Sequence, residues 1–456
     1  MNLPTFLLAG THSGCGKSTL AAGILRAFRN QGRSIAPFKA GPDYLDPMLH
    51  GIAAGRTSWN LDGFFQDNEG LRETFARGGL GAELALVEGV MGLFDGADSV
   101  NFRGSSADLA RRLGLPVVLV VDGSGMGGGV AATVLGHARL WPDLELAGVV
   151  LNGLGGHGHF ELQRAAIEAR TSFAVLGWMP RRSDWCLPER HLGIHQPHEI
   201  PGLERALEGL ATGIAETVDL ERLRFLARPV FASTRAEGAR LGDLSVALGR
   251  DEAFAFTYAD TLDRLERLGV RWVPFSPLRD RLPEGVAGLY LPGGYPELHA
   301  QTFAANGALH ADLRRAHWQG LPILAECGGY MALGESLRDL EGRAHPMAGV
   351  IPGRFRMTER LQSFGYKRLR LFQNGLLGPS GSQGLGHEFH HSLREDEVSC
   401  PAWRTESLEG EGVLEGHAQG NLLAGYAHLH FGAQPGWAEA WVAQMRRWQL
   451  QNSIPA

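Results

Sequence analysis

The sequence has 456 residues, with 43 Lys and Arg against 49 Asp and Glu, for a formal net charge of −6. A domain usually takes roughly 100–200 residues, so two or three domains are expected, each burying a core of its own. The mildly acidic balance argues against a surface made for nucleic acid or anionic membrane, and no run approaches the ~18 apolar residues of a membrane span. The first residues carry no basic leader and run straight into a glycine-rich loop. Four scattered cysteines (Cys15, Cys186, Cys327, Cys400) lack metal-ligand spacing, so free thiols in a reducing cytoplasm are expected.

In chain order, an apolar run at 6–9 precedes the glycine-rich loop, and 18–29 reads as an amphipathic helix. Strands are expected at 34–38, 84–88, 116–122, 147–152 and 174–177. Short apolar runs at helix-length intervals are what a parallel sheet covered on both faces requires. Residues 200–239 read as charged helix leading to a second α/β unit, with strands at 253–258, 271–275, 288–292 and 322–326. The expected fold is therefore α/β in two parallel-sheet domains, 1–240 and 241–456.

The segment from Gly10 to Thr19 (GTHSGCGKST) lies between a strand and a helix, where backbone N–H groups and the helix N-terminus can cradle phosphate. Lys17 would neutralise phosphate charge and the Ser18 hydroxyl would ligate Mg²⁺. A strict Walker pattern wants Gly at position 11, which is Thr11; Gly14 and Gly16 still let the backbone close around an anion. His12 stands where partition-type ATPases carry a second lysine, which counts against that class. Carboxylates follow at strand ends, where open α/β sheets gather ligands: Asp43 and Asp46 after the second strand, Glu88 at the end of the third, and Asp95 in the next loop.

In the second half, Cys327 sits between an apolar run and Gly328-Gly329, an arrangement similar to a strained nucleophile elbow. Near the C-terminus, His428 and His430 are both available as its base. Gly293 and Gly294, after another strand, form a candidate backbone oxyanion hole. The histidines at 387, 390 and 391 lack the spacing of a zinc site and are expected to be structural or to touch substrate.

These residues carry a resemblance. The second half resembles the class I (triad-type) glutamine amidotransferases, the first half the dethiobiotin-synthetase-like ATPase domain. Joined in this order, they resemble the cobyrinate a,c-diamide synthases of cobalamin biosynthesis. The markers are Lys39-Ala-Gly-Pro-Asp43-Tyr44-Leu45-Asp46-Pro47, Glu88-Gly-Val-Met-Gly-Leu-Phe-Asp95-Gly96, Arg190-His-Leu-Gly193, Asp251-Glu-Ala-Phe254, Leu291-Pro-Gly-Gly-Tyr-Pro-Glu297, Cys327-Gly-Gly329 and His428-Leu-His-Phe431. The resemblance implies that Cys327, activated by His428, releases ammonia from L-glutamine. It implies that ATP, held by Gly14, Gly16, Lys17, Ser18, Thr19 and Lys39, phosphorylates the a and c carboxylates of the corrinoid. Ser18, Asp46 and Glu88 would hold Mg²⁺; Asp43 and Asp95 would position ATP or the reacting carboxylate; Tyr44 and Leu45 would touch the macrocycle. The substrate would be cobyrinate, or alternatively hydrogenobyrinate or another tetrapyrrole, and a homodimer is implied. A P-loop switch that binds a protein partner is the non-enzymatic alternative. One departure stands out. Triad amidotransferases of this class place a Glu two residues after the base, where this chain has His430, so a Cys–His dyad is expected.

Overall fold

The computed structural model describes residues 2–98, 100–182, 185, 189–190, 193–194, 196–232, 234, 239–407, 410 and 412–452. Its contacts divide into two compact units, Met1–Arg235 and Ala236–Ala456.

The first unit is a parallel sheet built from β1 (Asn2–Gly10), β2 (Ile35–Ala40), β3 (Trp59–Leu61), β4 (Leu84–Gly92), β5 (Val117–Asp122), β6 (Leu146–Leu154) and β7 (Ala174–Pro180), in the order β3-β2-β4-β1-β5-β6-β7. Runs such as Val117–Val121 are buried on both faces, which explains their unbroken apolar character. Glu88 breaks that pattern inside β4 with no exposure at all. From β1, which lies between β4 and β5, the chain goes out through β2 to β3, returns to β4, and then runs outward on the other side through β5, β6 and β7. A crevice at the carboxyl ends of the strands, beside that reversal, is where such sheets bind ligands.

Helix α1 (Lys17–Asn30) follows β1, and α2 (Leu45–Ala54) follows β2. Two further helices, Leu203–Thr217 and Leu220–Leu226, occupy the stretch read as charged helix. Arg26 of α1 is buried and pairs with Glu204 and Glu208 of the first of these. A Cβ on Gly23 would meet Leu210 and Ile214 at 2.8 Å, so the two helices approach as closely as they do only because residue 23 has no side chain. The stretch does not stay helical. Residues Arg228–Phe231 form β8, antiparallel to the start of β1.

The second unit has a central sheet of β9 (Leu244–Gly249), β10 (Val270–Phe275), β11 (Gly288–Leu291), β12 (Ile323–Glu326) and later strands. A second sheet is built on the hairpin of β13 (Ser363–Leu371) and β14 (Gln383–His390). After it, β15 (Leu422–Gly425) pairs with β12 in the central sheet, whereas β16 (His428–Leu429) pairs with β14 in the other. Two residues, Tyr426 and Ala427, carry the chain from one sheet to the other.

The strand expected at 253–258 is not one. The Asp251 carboxylate accepts the Ala253 and Phe254 N–H groups at 2.9 and 3.1 Å, curling the segment into a loop, and Phe254 is buried. The apolar residues were legible as core, but the carboxylate turn that pre-empts a ladder was not. The strand lies earlier, at β9.

Candidate functional site

In the first unit, the phosphate-loop residues wrap the end of β1. Gly14 and Gly16 have φ of +80° and +92°, a region L side chains rarely adopt. Asn152, near the end of β6, donates to the Cys15 carbonyl at 2.8 Å and packs where a Cβ on Gly16 would lie. Lys17 is 7% exposed, and its ammonium makes a long hydrogen bond, 3.4 Å, to the His12 carbonyl. Among the described residues no carboxylate pairs with it, so a buried cation at a helix N-terminus awaits an anion. Thr19 lies in the first turn of α1, half-buried.

Beside the loop is a dense charge cluster. Glu88 Oε1 accepts from Ser18 Oγ at 2.8 Å and from Lys39 Nζ at 2.9 Å. Lys39 also bonds Asp46 and, at 3.2 Å, the Gly89 carbonyl. Burial alone would discharge Lys39; Asp46, Glu88 and Asp43 together reverse this and hold its ammonium above the usual lysine range. Burial pushes Glu88 up, but Lys39 and then His50 hold it well below the usual carboxylate range. Asp46, buried beside Glu88, is pushed up to about 7 despite Lys39. Two carboxylates and one hydroxyl are hard oxygen donors of the kind Mg²⁺ takes, with substrate phosphates and water completing its shell. Among the described residues no group of three His, Cys, Asp or Glu forms a metal site.

The remaining expected contacts are placed less directly. Asp43 Oδ1 accepts the Leu45 N–H at 2.8 Å and so organises the start of α2. Asp95 Oδ2 accepts the Gly92 N–H at 2.9 Å, closing the turn after β4. Tyr44 is half-buried, whereas Leu45 is only 6% exposed and offers little surface to a macrocycle. Arg190 and Gly193 fall in short strands, but His191 and Leu192 between them lie outside the described residues.

His50 escaped the sequence reading. It is fully buried on α2, and its Nε2 donates to Glu88 Oε2 at 2.5 Å. Among the described residues its Nδ1 has no partner. A histidine four residues after an acid on a short helix gives no signal on its own; only the packing of α2 against β2 and α1 brings it to Glu88.

In the second unit, Cys327 follows β12 with φ +48° and ψ −102°, strained for a residue with a side chain. Its N–H donates to the Gly425 carbonyl at 2.7 Å, and α3 (Gly328–Leu333) begins at the next residue. His428 is buried against it. Burial would lower the imidazole, but Cys327 and then Glu326 more than offset this and push it up to about 10. The structure thus brings Cys327 together with His428, while His430 Nδ1 faces Asp260 at 3.7 Å. A Cβ on Gly293 would lie 2.3 Å from His428 Cε1, and one on Gly328 would lie 3.1 Å from the Gly294 nitrogen. Both glycines of the expected oxyanion hole therefore border the elbow. His387 lies across the ladder from His428, and His390 stacks on Tyr426 with centroids 3.8 Å apart. Burial, then His428, holds His387 down to about 3, a neutral packing residue.

Two predictions follow from this geometry. In Gly293→Ala the new methyl displaces the imidazole, and a displacement of about 1 Å costs on the order of 10² in rate; glutamine hydrolysis falls that far while amidation from added ammonia is kept. The His428 imidazolium is lost only as pH rises through its raised value. The alkaline limb of kcat/KM for glutamine is therefore expected toward pH about 10 rather than at the ordinary histidine value of about 6.5.

Comparison with known proteins agrees with this division. Residues 6–194 match the CobQ/CobB/MinD/ParA nucleotide binding domain, and residues 245–436 match the CobB/CobQ-like glutamine amidotransferase domain. The chain is thus a nucleotide-binding domain followed by a glutamine amidotransferase domain. Cobyrinate a,c-diamide synthase of Streptococcus sanguinis is 40% identical over 434 residues, 93% of this chain and 95% of that one. Those of Salmonella typhimurium (40% over 450 residues, 97% and 98%) and Listeria monocytogenes (40% over 433 residues, 93% and 96%) are similarly close. The chain belongs to the cobyrinate a,c-diamide synthase family.

Proposed function

We propose that the protein amidates the a and c side-chain carboxylates of cobyrinate, using ATP and L-glutamine. The observation that carries this reading is one chain holding both an anion-poised Lys17 beside the Ser18–Lys39–Asp46–Glu88 cluster and a strained Cys327 against His428. A switch protein has use for the first but not the second.

A carboxylate does not accept ammonia at neutral pH, so it must first be given a leaving group. At the first unit, a corrinoid carboxylate oxygen attacks the γ-phosphorus of ATP, ADP departs, and an acyl phosphate remains. Ammonia then attacks its carbonyl carbon and phosphate leaves. Lys17 and Lys39 offset phosphate charge, and backbone N–H groups around Gly14 and Gly16 orient it. Ser18, Asp46 and Glu88 would hold Mg²⁺, which when bound spreads the charge developing on the transferred phosphoryl group. Asp46, whose carboxyl burial pushes up to about 7, would ligate the ion as a carboxylate, its proton released to solvent.

At the second unit, the Cys327 sulfur attacks the side-chain amide carbon of glutamine. His428, which already holds the proton of the thiol as an imidazolium, gives it to the departing ammonia, while N–H groups at Gly293 and Gly294 stabilise the oxyanion. Water, deprotonated by His428, then cleaves the glutamyl thioester. To test the acyl phosphate, cobyrinate with heavy oxygen in its carboxylates is incubated with ATP and ammonia. One heavy oxygen in phosphate for each amide formed is expected; phosphate without label contradicts the route.

A further inference from the structure

A buried acid stands immediately before the nucleophile, and no step of the reaction described so far uses it. Glu326 ends β12 with its carboxylate enclosed, 2% exposed. Its Oε2 accepts from the Tyr290 hydroxyl at 2.8 Å and its Oε1 from the Leu429 N–H at 3.2 Å. Burial and Glu326 itself push Tyr290 well above its usual value, so the phenol stays a donor. His428 Nδ1 lies 3.8 Å from Oε2. That is an ion-pair separation, longer than a hydrogen bond, and such contacts in free enzymes commonly tighten when substrate closes the site.

We propose that Glu326 is the positioning acid of a Cys327–His428–Glu326 triad, supplied from the residue before the nucleophile instead of the second residue after the base. The proposal rests on the glutaminase reading above. The geometry gives it three supports. Nδ1 faces the carboxylate, which leaves Nε2 for the thiol and fixes the tautomer a base needs. The Leu429 N–H ties the carboxylate to the residue next to His428, so acid and base are held in one frame. Finally, His430, at the position where an acid would otherwise be sought, is paired with Asp260 instead. A backbone that turns sharply at Cys327 explains how neighbours in sequence can approach the imidazole from two sides.

The titratable groups facing His428 include Cys327, Glu326 and, from β14, the neutral His387 and His390; Glu326 is faced by Tyr290 and His428. Removing the Glu326 charge therefore weakens the hold on the imidazolium. Glu326→Gln keeps the shape and one of the two incoming hydrogen bonds, because its amide nitrogen cannot accept the other; Glu326→Asp keeps the charge, and Tyr290→Phe removes one donor only. For each, kcat and KM for glutamine, the pH profile of Cys327 alkylation by iodoacetamide, and amidation driven by ammonia are measured on the full chain. In Glu326→Gln, kcat is expected to fall on the order of 10²-fold with KM and the ammonia reaction nearly unchanged. The alkaline limb moves to lower pH, and Glu326→Asp recovers part of the rate. Wild-type kcat and pH profile in Glu326→Gln would overturn the proposal. So would equal losses in the Gln and Asp variants accompanied by loss of the ammonia reaction, which marks a structural role. A parent protein with no glutaminase activity would overturn the underlying reading too, and that result is visible before any variant is made.

Discussion

In the Cys327→Ser protein, glutamine no longer supports amidation, whereas ammonium salts at alkaline pH still do. The hydroxyl fits where the thiol was, in the same strained turn tied to Gly425, so the second unit keeps its fold. A serine there lacks the nucleophilicity of a thiolate, and loss of the nucleophile costs roughly 10⁴–10⁶ in rate in enzymes of this logic. The first unit has its own core and its own charge cluster, and its chemistry needs only ammonia. The measurement is amide formation from each nitrogen source. Equal loss with both would mean that Cys327 acts on the fold and not on glutamine.

The complementary result is expected from the phosphate loop. Ser18→Ala and Glu88→Gln should each lower amidation from glutamine and from ammonia alike, on the order of 10²–10³-fold, while glutamine hydrolysis by Cys327 persists. Glu88 carries the larger effect because it anchors three partners, Ser18, Lys39 and His50. Breaking a buried ion pair costs about 3–5 kcal/mol in its own right, so Glu88→Gln also lowers the melting temperature. Ser18→Ala removes a single hydroxyl and separates the chemical effect from the structural one. Retained ammonia-driven amidation in Ser18→Ala would remove that hydroxyl from the site.

Much of this site was legible because its chemistry is local in sequence. A glycine-rich loop after an apolar run and before a helix can be read directly, and the strained turn at Cys327 announces itself through Gly328-Gly329. What could not be read depends on register between distant strands. Glu88 and Lys39 are paired by the alignment of β2 with β4, and nothing in either segment alone says so. His50 and Glu326 escaped for the same reason: each meets its partner only through packing or across a sheet. A strand running through both His428 and His430 would put them on one face. Instead the strand ends at Leu429, after the chain has crossed from one sheet to the other. The loop at 251–258 was misread as a strand because its aromatics are core residues whose local geometry is set by the Asp251 carboxylate.

The most direct measurement is mass spectrometry of cobyrinate after incubation with the protein, Mg-ATP and glutamine carrying heavy nitrogen in its side-chain amide. The account predicts a product with two heavy nitrogens in place of two carboxylate hydroxyls, formed only when ATP is present. Unchanged cobyrinate, with ATP and glutamine still hydrolysed, would contradict it.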